Sequence, residues 1–198
     1  MTYTKIRVDY KYAPKGRLYR LLLIKDNPDL ERLAIIIGTS LGAEFEHPFW
    51  IVAKDKTEYA LDSAVDMGFL PCLSLKKHHL DDLTDTFAFE YDSGDCWDFV
   101  CQIYKQPVDF DGDKEAIIIE GKGQGIWEDH SWLLQDYLAG RLSNDPIDPE
   151  DEDAPRPWNY EIKRYSDFDL PLDIDQLNEG LEKSIDENEA NVSWHEIM

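Results

Sequence analysis

The chain opens on a strict alternation. Ile6, Val8, Tyr10 and Tyr12 are apolar or aromatic, and Lys5, Arg7, Asp9 and Lys11 between them are charged. A period of two predicts a strand with one dry and one wet face. Ala13-Pro14-Lys15-Gly16 is turn chemistry, and the mostly apolar run at residues 18–24 suits a more buried strand, so the two should pair as a hairpin. The period then lengthens. Asn27-Pro28-Asp29 reads as a helix start: a capping residue, a proline at the first helical position and an acid in the first turn. Leu30, Leu33, Ile37 and Leu41 follow at helical spacing, and Gly42 is expected to end the helix, with its apolar stripe on the sheet. Residues 49–53 and 57–61 predict two short strands around Lys54-Asp55-Lys56, whereas residues 63–83 keep no clear period.

The clearest alternation comes next. Phe87, Phe89 and Tyr91, then Trp97, Phe99, Cys101 and Ile103, predict a hairpin joined at Asp92-Ser93-Gly94, where the glycine is expected to supply a positive φ. Residues 116–120 form another apolar strand, ended by Gly121, Gly123 and Gly125, and residues 131–139 a short helix closed by Gly140. Ile174, Leu177, Leu181 and Ile185 predict a C-terminal helix whose last dozen residues should fray, although Trp194 argues for some docking. The expected architecture is a single-domain α+β fold, with a mixed or largely antiparallel sheet and helices packed on it. Its core covers residues 1–142, an acidic, proline-rich linker loop residues 143–157, and an acidic C-terminal segment with a helix, packed on the same domain, residues 158–198.

Charge alters this picture in one respect. The formal net charge is -22, and residues 145–198 alone hold 17 acids against 4 basic residues. Such a field repels a phosphate backbone and an anionic membrane surface, so nucleic acid is an unlikely partner, a basic protein or a cation is a better one, and an ordered row of acids near the C-terminus would mimic nucleic acid. Lys76, Lys77, His78 and His79 are the best candidate for a local basic patch. Cys72, Cys96 and Cys101 are odd in number and read as reduced thiols; Cys96 and Cys101, five apart on one strand, should face opposite ways. No run approaches the length of a membrane span and the N-terminus lacks an apolar signal core, so the expected location is the cytoplasm.

Candidate chemistry is sparse. No HExxH, CxxC, P-loop, dinucleotide fingerprint or serine elbow occurs, so no catalytic residue, metal or cofactor is assigned. Asp92 and Asp95 flank a tight turn, either as a carboxylate pair for a cation or acid–base work, or with Asp92 capping its own turn and Asp95 in solvent. Glu128 and Asp129 follow three alternating glycines, which let a backbone approach a ligand or another chain closely; the plainer reading puts both acids at a helix N-terminus. Trp97 and Trp132 are expected in the core, and Trp127 and Trp158 are candidate exposed anchors for a partner.

The segment Phe89-Glu90-Tyr91-Asp92-Ser93-Gly94-Asp95-Cys96-Trp97 resembles the central signature of the plasmid pRiA4b open-reading-frame family, Y-D-F-G-D-x-W-x-H. Leu18-Tyr19-Arg20 is similar to that family's early I-W-R, the segment around His47 to its H-L-H-x-F, Glu128-Asp129 to its E-D pair, and Phe168-Asp169-Leu170 with residues 174–181 to its closing motif. The resemblance spans roughly residues 5–182 and implies an α+β fold and an association with plasmids and transposable elements; it transfers no reaction. It groups His47, Tyr91, Asp92, Asp95, Trp97, Glu128 and Asp129 as the lining of one acidic cleft, which would serve either a non-enzymatic interaction protein or a small metal-dependent or hydrolytic enzyme. Several of the family's histidines are missing: their places hold Ala34, Phe49 and Phe99, and the double glycine after E-D is His130-Ser131.

Overall fold

In the computed structural model, which describes residues 1–66, 71–148, 150–151, 153–157 and 160–195, the opening alternation forms β1 (Thr2–Tyr10), paired antiparallel with β2 (Tyr19–Lys25). Ile6, Val8 and Tyr10 are buried, as are Leu22 and Ile24 opposite, while Lys5, Arg7 and Asp9 keep to the outer face. β3 (Phe49–Ala53) and β4 (Glu58–Ala60) flank the lysine turn, and β6 (Thr86–Tyr91) and β7 (Trp97–Asp109) make the aromatic hairpin. With β5 (Leu73–Ser74) and β8 (Ala116–Lys122) they form one eight-stranded sheet, ordered β5-β4-β3-β6-β7-β1-β2-β8. It is antiparallel except between β4 and β5. The mixed sheet with its helices is the expected α+β architecture.

α1 (Leu30–Leu41) starts at Asp29, whose carboxylate accepts the Arg32 N–H at 2.8 Å. Asn27, the expected cap, instead accepts the backbone N–H of Asp81. Gly42 ends the helix with φ 89°, in the left-handed region that glycine enters without strain. α1 was expected to bury one stripe, but almost every residue of it is buried. The reason is α4 (Ile174–His195), which covers the face turned away from the sheet. Asn188 on α4, itself buried, donates to Thr39 Oγ1 at 2.9 Å and to the Ala43 carbonyl at 3.0 Å. Arg32 on α1 binds Glu115 ahead of β8, and Asp186 and Glu189 on α4. α4 runs on to His195, so the helix continues into the last dozen residues. α2 (Asp62–Asp66) and two 3-10 turns fill the stretch that showed no period, and α3 (Ser131–Leu138) follows β8.

In the expected basic patch at residues 76–79, Lys76 lies 3.4 Å from Glu31 and His78 3.1 Å from Asp82, so two of its four side chains have an acidic neighbour. Trp132 is exposed rather than in the core, because α3 turns Leu133, Leu134 and Leu138 inward. Trp127 is fully buried against Tyr137, Tyr165 and Phe168 and donates its indole N–H to Tyr160, so it is no exposed anchor. Trp158 and the side chain of Trp194 lie outside the described residues. All three cysteines are free; Cys96 sits in the turn before β7, exposed, and Cys101 within it, buried. Among the described residues no helix is long and apolar enough to cross a membrane.

Arg20 on β2 is fully buried, and among the described residues every hydrogen bond from its guanidinium runs to a backbone carbonyl: Ser40 (2.8 Å), Tyr19 (2.9 Å), Lys122 (3.1 Å), Gly123 (2.9 Å) and Gln124 (3.0 Å). The end of α1, β2 and the glycine-rich segment thus share one guanidinium, and the alternating glycines bring their backbone to this internal cation. Burial lowers the Arg20 pKa to about 10, so it stays charged. Arg20→Met is expected to leave several buried carbonyls unpaired and to cost about 3 kcal/mol. The check is a urea denaturation midpoint well below wild type with an unchanged slope.

Candidate functional site

Three chain segments meet at the end of the β6–β7 hairpin. The first is the hairpin turn, residues 92–96, closed by Cys96 N–H donating to the Asp92 carbonyl. The second is the α1–β3 loop, which takes the Asp92 N–H on the Pro48 carbonyl at 3.0 Å. The third is the β8–α3 loop, tied down by Ile126 N–H to the Leu41 carbonyl at 2.9 Å. Of six non-glycine residues with positive φ among the described residues, four lie in these segments: Phe45 (58°), Asp92 (51°), Cys96 (56°) and Asp129 (58°). Such conformations cost free energy and collect at functional sites. The turn strain expected at Gly94 falls on Asp92 and Cys96 instead.

The three segments bring the expected acids near one another and near His47. His47 Nε2 stands 3.2 Å from Asp129 Oδ1 and 3.8 Å from Asp92 Oδ2. One ligand atom from each of His47, Asp92 and Asp129 lies within 4.8 Å of the others. Asp92 is buried, with Oδ1 accepting the Gly94 N–H at 3.0 Å and Oδ2 turned toward His47; Asp129 is exposed and His47 lies between. Behind them, Glu128 Oε1 accepts the Glu44 N–H and the Tyr91 hydroxyl, both at 2.8 Å, while its buried Oε2 has no partner among the described residues. Glu128 is therefore not at the helix N-terminus, where it was expected. That place belongs to Asp95, which accepts the Ser131 N–H at 2.7 Å and, through its carbonyl, the Ser131 hydroxyl. Asp95 is accordingly half-buried rather than solvated. His130 at the start of α3 gives no side-chain cap, so the cap comes from the hairpin.

Three carboxyls of this cluster, those of Glu44, Asp95 and Glu128, are destabilised as anions. Burial raises Glu128 to about 7, against the lowering pull of the Glu44 N–H, the Tyr91 hydroxyl and His47. Glu44 is raised by burial and by Glu46 and Asp129; Asp95 is raised by burial, with Asp92 and Asp129 adding to it. Burial, and then Glu128, raise the Tyr91 phenol, so it stays a donor. Trp97, expected among the cleft residues, is wholly buried against Tyr10 in the core. Phe99 and Ala34, where relatives offer histidines, are core positions, Phe99 stacked on Phe89.

The fold is that of a single-sheet α+β protein, with a cluster of acids and one histidine at the end of its central hairpin. The sequence model of the plasmid pRiA4b ORF-3-like proteins matches residues 3–175, and the chain belongs to that family. No curated protein matches it. Among solved structures it is similar to a protein of unknown function from Methanosarcina mazei Go1: 21% identity over 70% of this chain and 81% of that one, with a TM-score of 0.57. That likeness concerns the fold.

Glu128 gives the site a pH signature. A carboxyl raised in the folded state stabilises the fold below its unfolded pKa, and that stability is lost as pH rises through the folded value. Wild-type stability should therefore fall between about pH 4.5 and 7, by on the order of 2–3 kcal/mol from this group. Glu128→Gln keeps an acceptor for Glu44 and Tyr91 and should flatten that slope, which urea midpoints taken across the window will read.

Proposed function

We propose that this protein acts by binding rather than turnover, and that its cleft takes a divalent transition-metal cation through His47, Asp92 and Asp129. The carrying observation is the spacing. Ligands held at about 2.0–2.1 Å around a tetrahedral ion stand about 3.3 Å apart. His47 Nε2 lies 3.2 and 3.8 Å from its two carboxylate neighbours. One imidazole and two carboxylates suit zinc or manganese better than calcium or magnesium. The upward shifts of Glu44, Asp95 and Glu128 add support, since a cleft whose carboxyls are held above their ordinary range gains from a positive charge. The acids Asp175, Glu179, Glu182 and Glu187, exposed on α4, give the partner its chemistry: a basic protein surface. The plasmid in the family's description supports an association with mobile elements.

A second reading, metal-assisted hydrolysis, is favoured by Glu128, a buried carboxyl near neutrality with one oxygen unpartnered among the described residues. Isothermal titration of the chain with zinc and with manganese tests the cation itself. Saturable binding of at least one ion, weakened tenfold or more by His47→Ala and by Asp92→Asn, is expected. Absence of heat for both ions, or variants that bind like wild type, overturns the proposal. Turnover of an ester or phosphoester by the loaded protein, abolished by Glu128→Gln, would favour the second reading.

A further inference from the structure

Gly180 lies in the middle of α4. Glycine is a poor helix former, and interior glycines are usually explained by a neighbour that leaves no room for a side chain. Here a Cβ would meet nothing within 4 Å. What the missing side chain leaves is space. Leu177, Gly180 and Leu181 form one wall of a cavity of about 510 Å³, with the end of α1 at Ser40, Ile118 of β8 and the ring of Tyr160 across from them. That volume is within the range of small-molecule sites, roughly 300–1,000 Å³. The cavity shares no residue with the His47–Asp92–Asp129 cleft.

Its chemistry is selective. The walls are largely aliphatic and aromatic, and neutral groups such as the Ser184 hydroxyl supply hydrogen bonding. Among the described residues no lysine, arginine or histidine lines it. Arg20 is close behind the wall, but its donors point to the Ser40 and Gln124 carbonyls. The one carboxylate, Asp173, is engaged in capping α4 through the Gln176 N–H. An anion would find no accessible positive group there, in a chain of net charge -22.

We propose that this cavity is a binding site for a small, uncharged, largely apolar organic molecule that carries a hydrogen-bonding group. The probe is the neutral dye N-phenyl-1-naphthylamine, titrated into the full chain and followed by fluorescence. Saturable enhancement is expected, weakened at least tenfold by Gly180→Leu, which fills the space and suits a helix, so its melting temperature should stay level or rise. Ser184→Leu, on the same wall, is the second variant should the first fail to fold. The anionic dye 8-anilinonaphthalene-1-sulfonate should bind at least tenfold more weakly. No saturable signal, or an equal one in a folded filling variant, overturns the site; equal binding of the anionic dye overturns its assignment to uncharged ligands.

Discussion

One buried guanidinium ties together the chain segments that lead to the acidic cluster. Arg20 is held by the carbonyls of five residues drawn from β2, the end of α1, the last residue of β8 and the segment after it. A charge taken out of water must be met by oriented dipoles, or the fold loses several kcal/mol. That demand fixes the path of the glycine-rich segment. The chain leaves this cage at Gln124 and reaches Glu128 and Asp129 four and five residues later, with Ile126 pinned to Leu41 on the way. The position of the cleft is thus set by an interaction outside it.

The cleft shows the opposite electrostatics. Its carboxyls crowd together with one imidazole among them, and burial holds several of them toward their neutral forms. An acidic chain has little reason to gather more acids at one point for stability alone, and left-handed backbone at Phe45, Asp92, Cys96 and Asp129 adds to the cost. The structure offsets this with reciprocal ties: Asp95 caps α3, Tyr91 and Glu44 hold Glu128, and Pro48 holds Asp92.

Local pattern carried much of the fold. The strands with one wet face were legible because alternation survives whatever lies across the sheet, and Gly42 was legible as a helix end because the left-handed position favours glycine. The misplacements all involve distant partners. Asn27 looked like the cap of α1 but is engaged by Asp81. Trp127 and Trp132 exchanged their expected places because the orientation of α3 is set by Phe168 and Tyr165, far along the chain. The burial of α1 on both sides depends on α4, more than 130 residues away. The family signature pointed to Asp92, Asp95, Glu128 and Asp129, and the structure places them near one another, but the partners that each one holds were hidden. Which carboxylate caps α3 and which stays buried beside Tyr91 depends on how β8 and the hairpin turn approach the same α1–β3 loop, and that is tertiary geometry.

The sheet's two edges differ in how they are closed. At one end β5 offers only Leu73 and Ser74 to pairing. At the other, Asn178 of α4 lies against β8, its carboxamide accepting the Ile118 N–H and donating to the Ile118 carbonyl, both at 2.8 Å. A side-chain amide there stands in for a ninth strand and saturates the central backbone groups of that edge. A strand from another chain added at this longer edge would first have to displace the Asn178 amide and the helix that carries it.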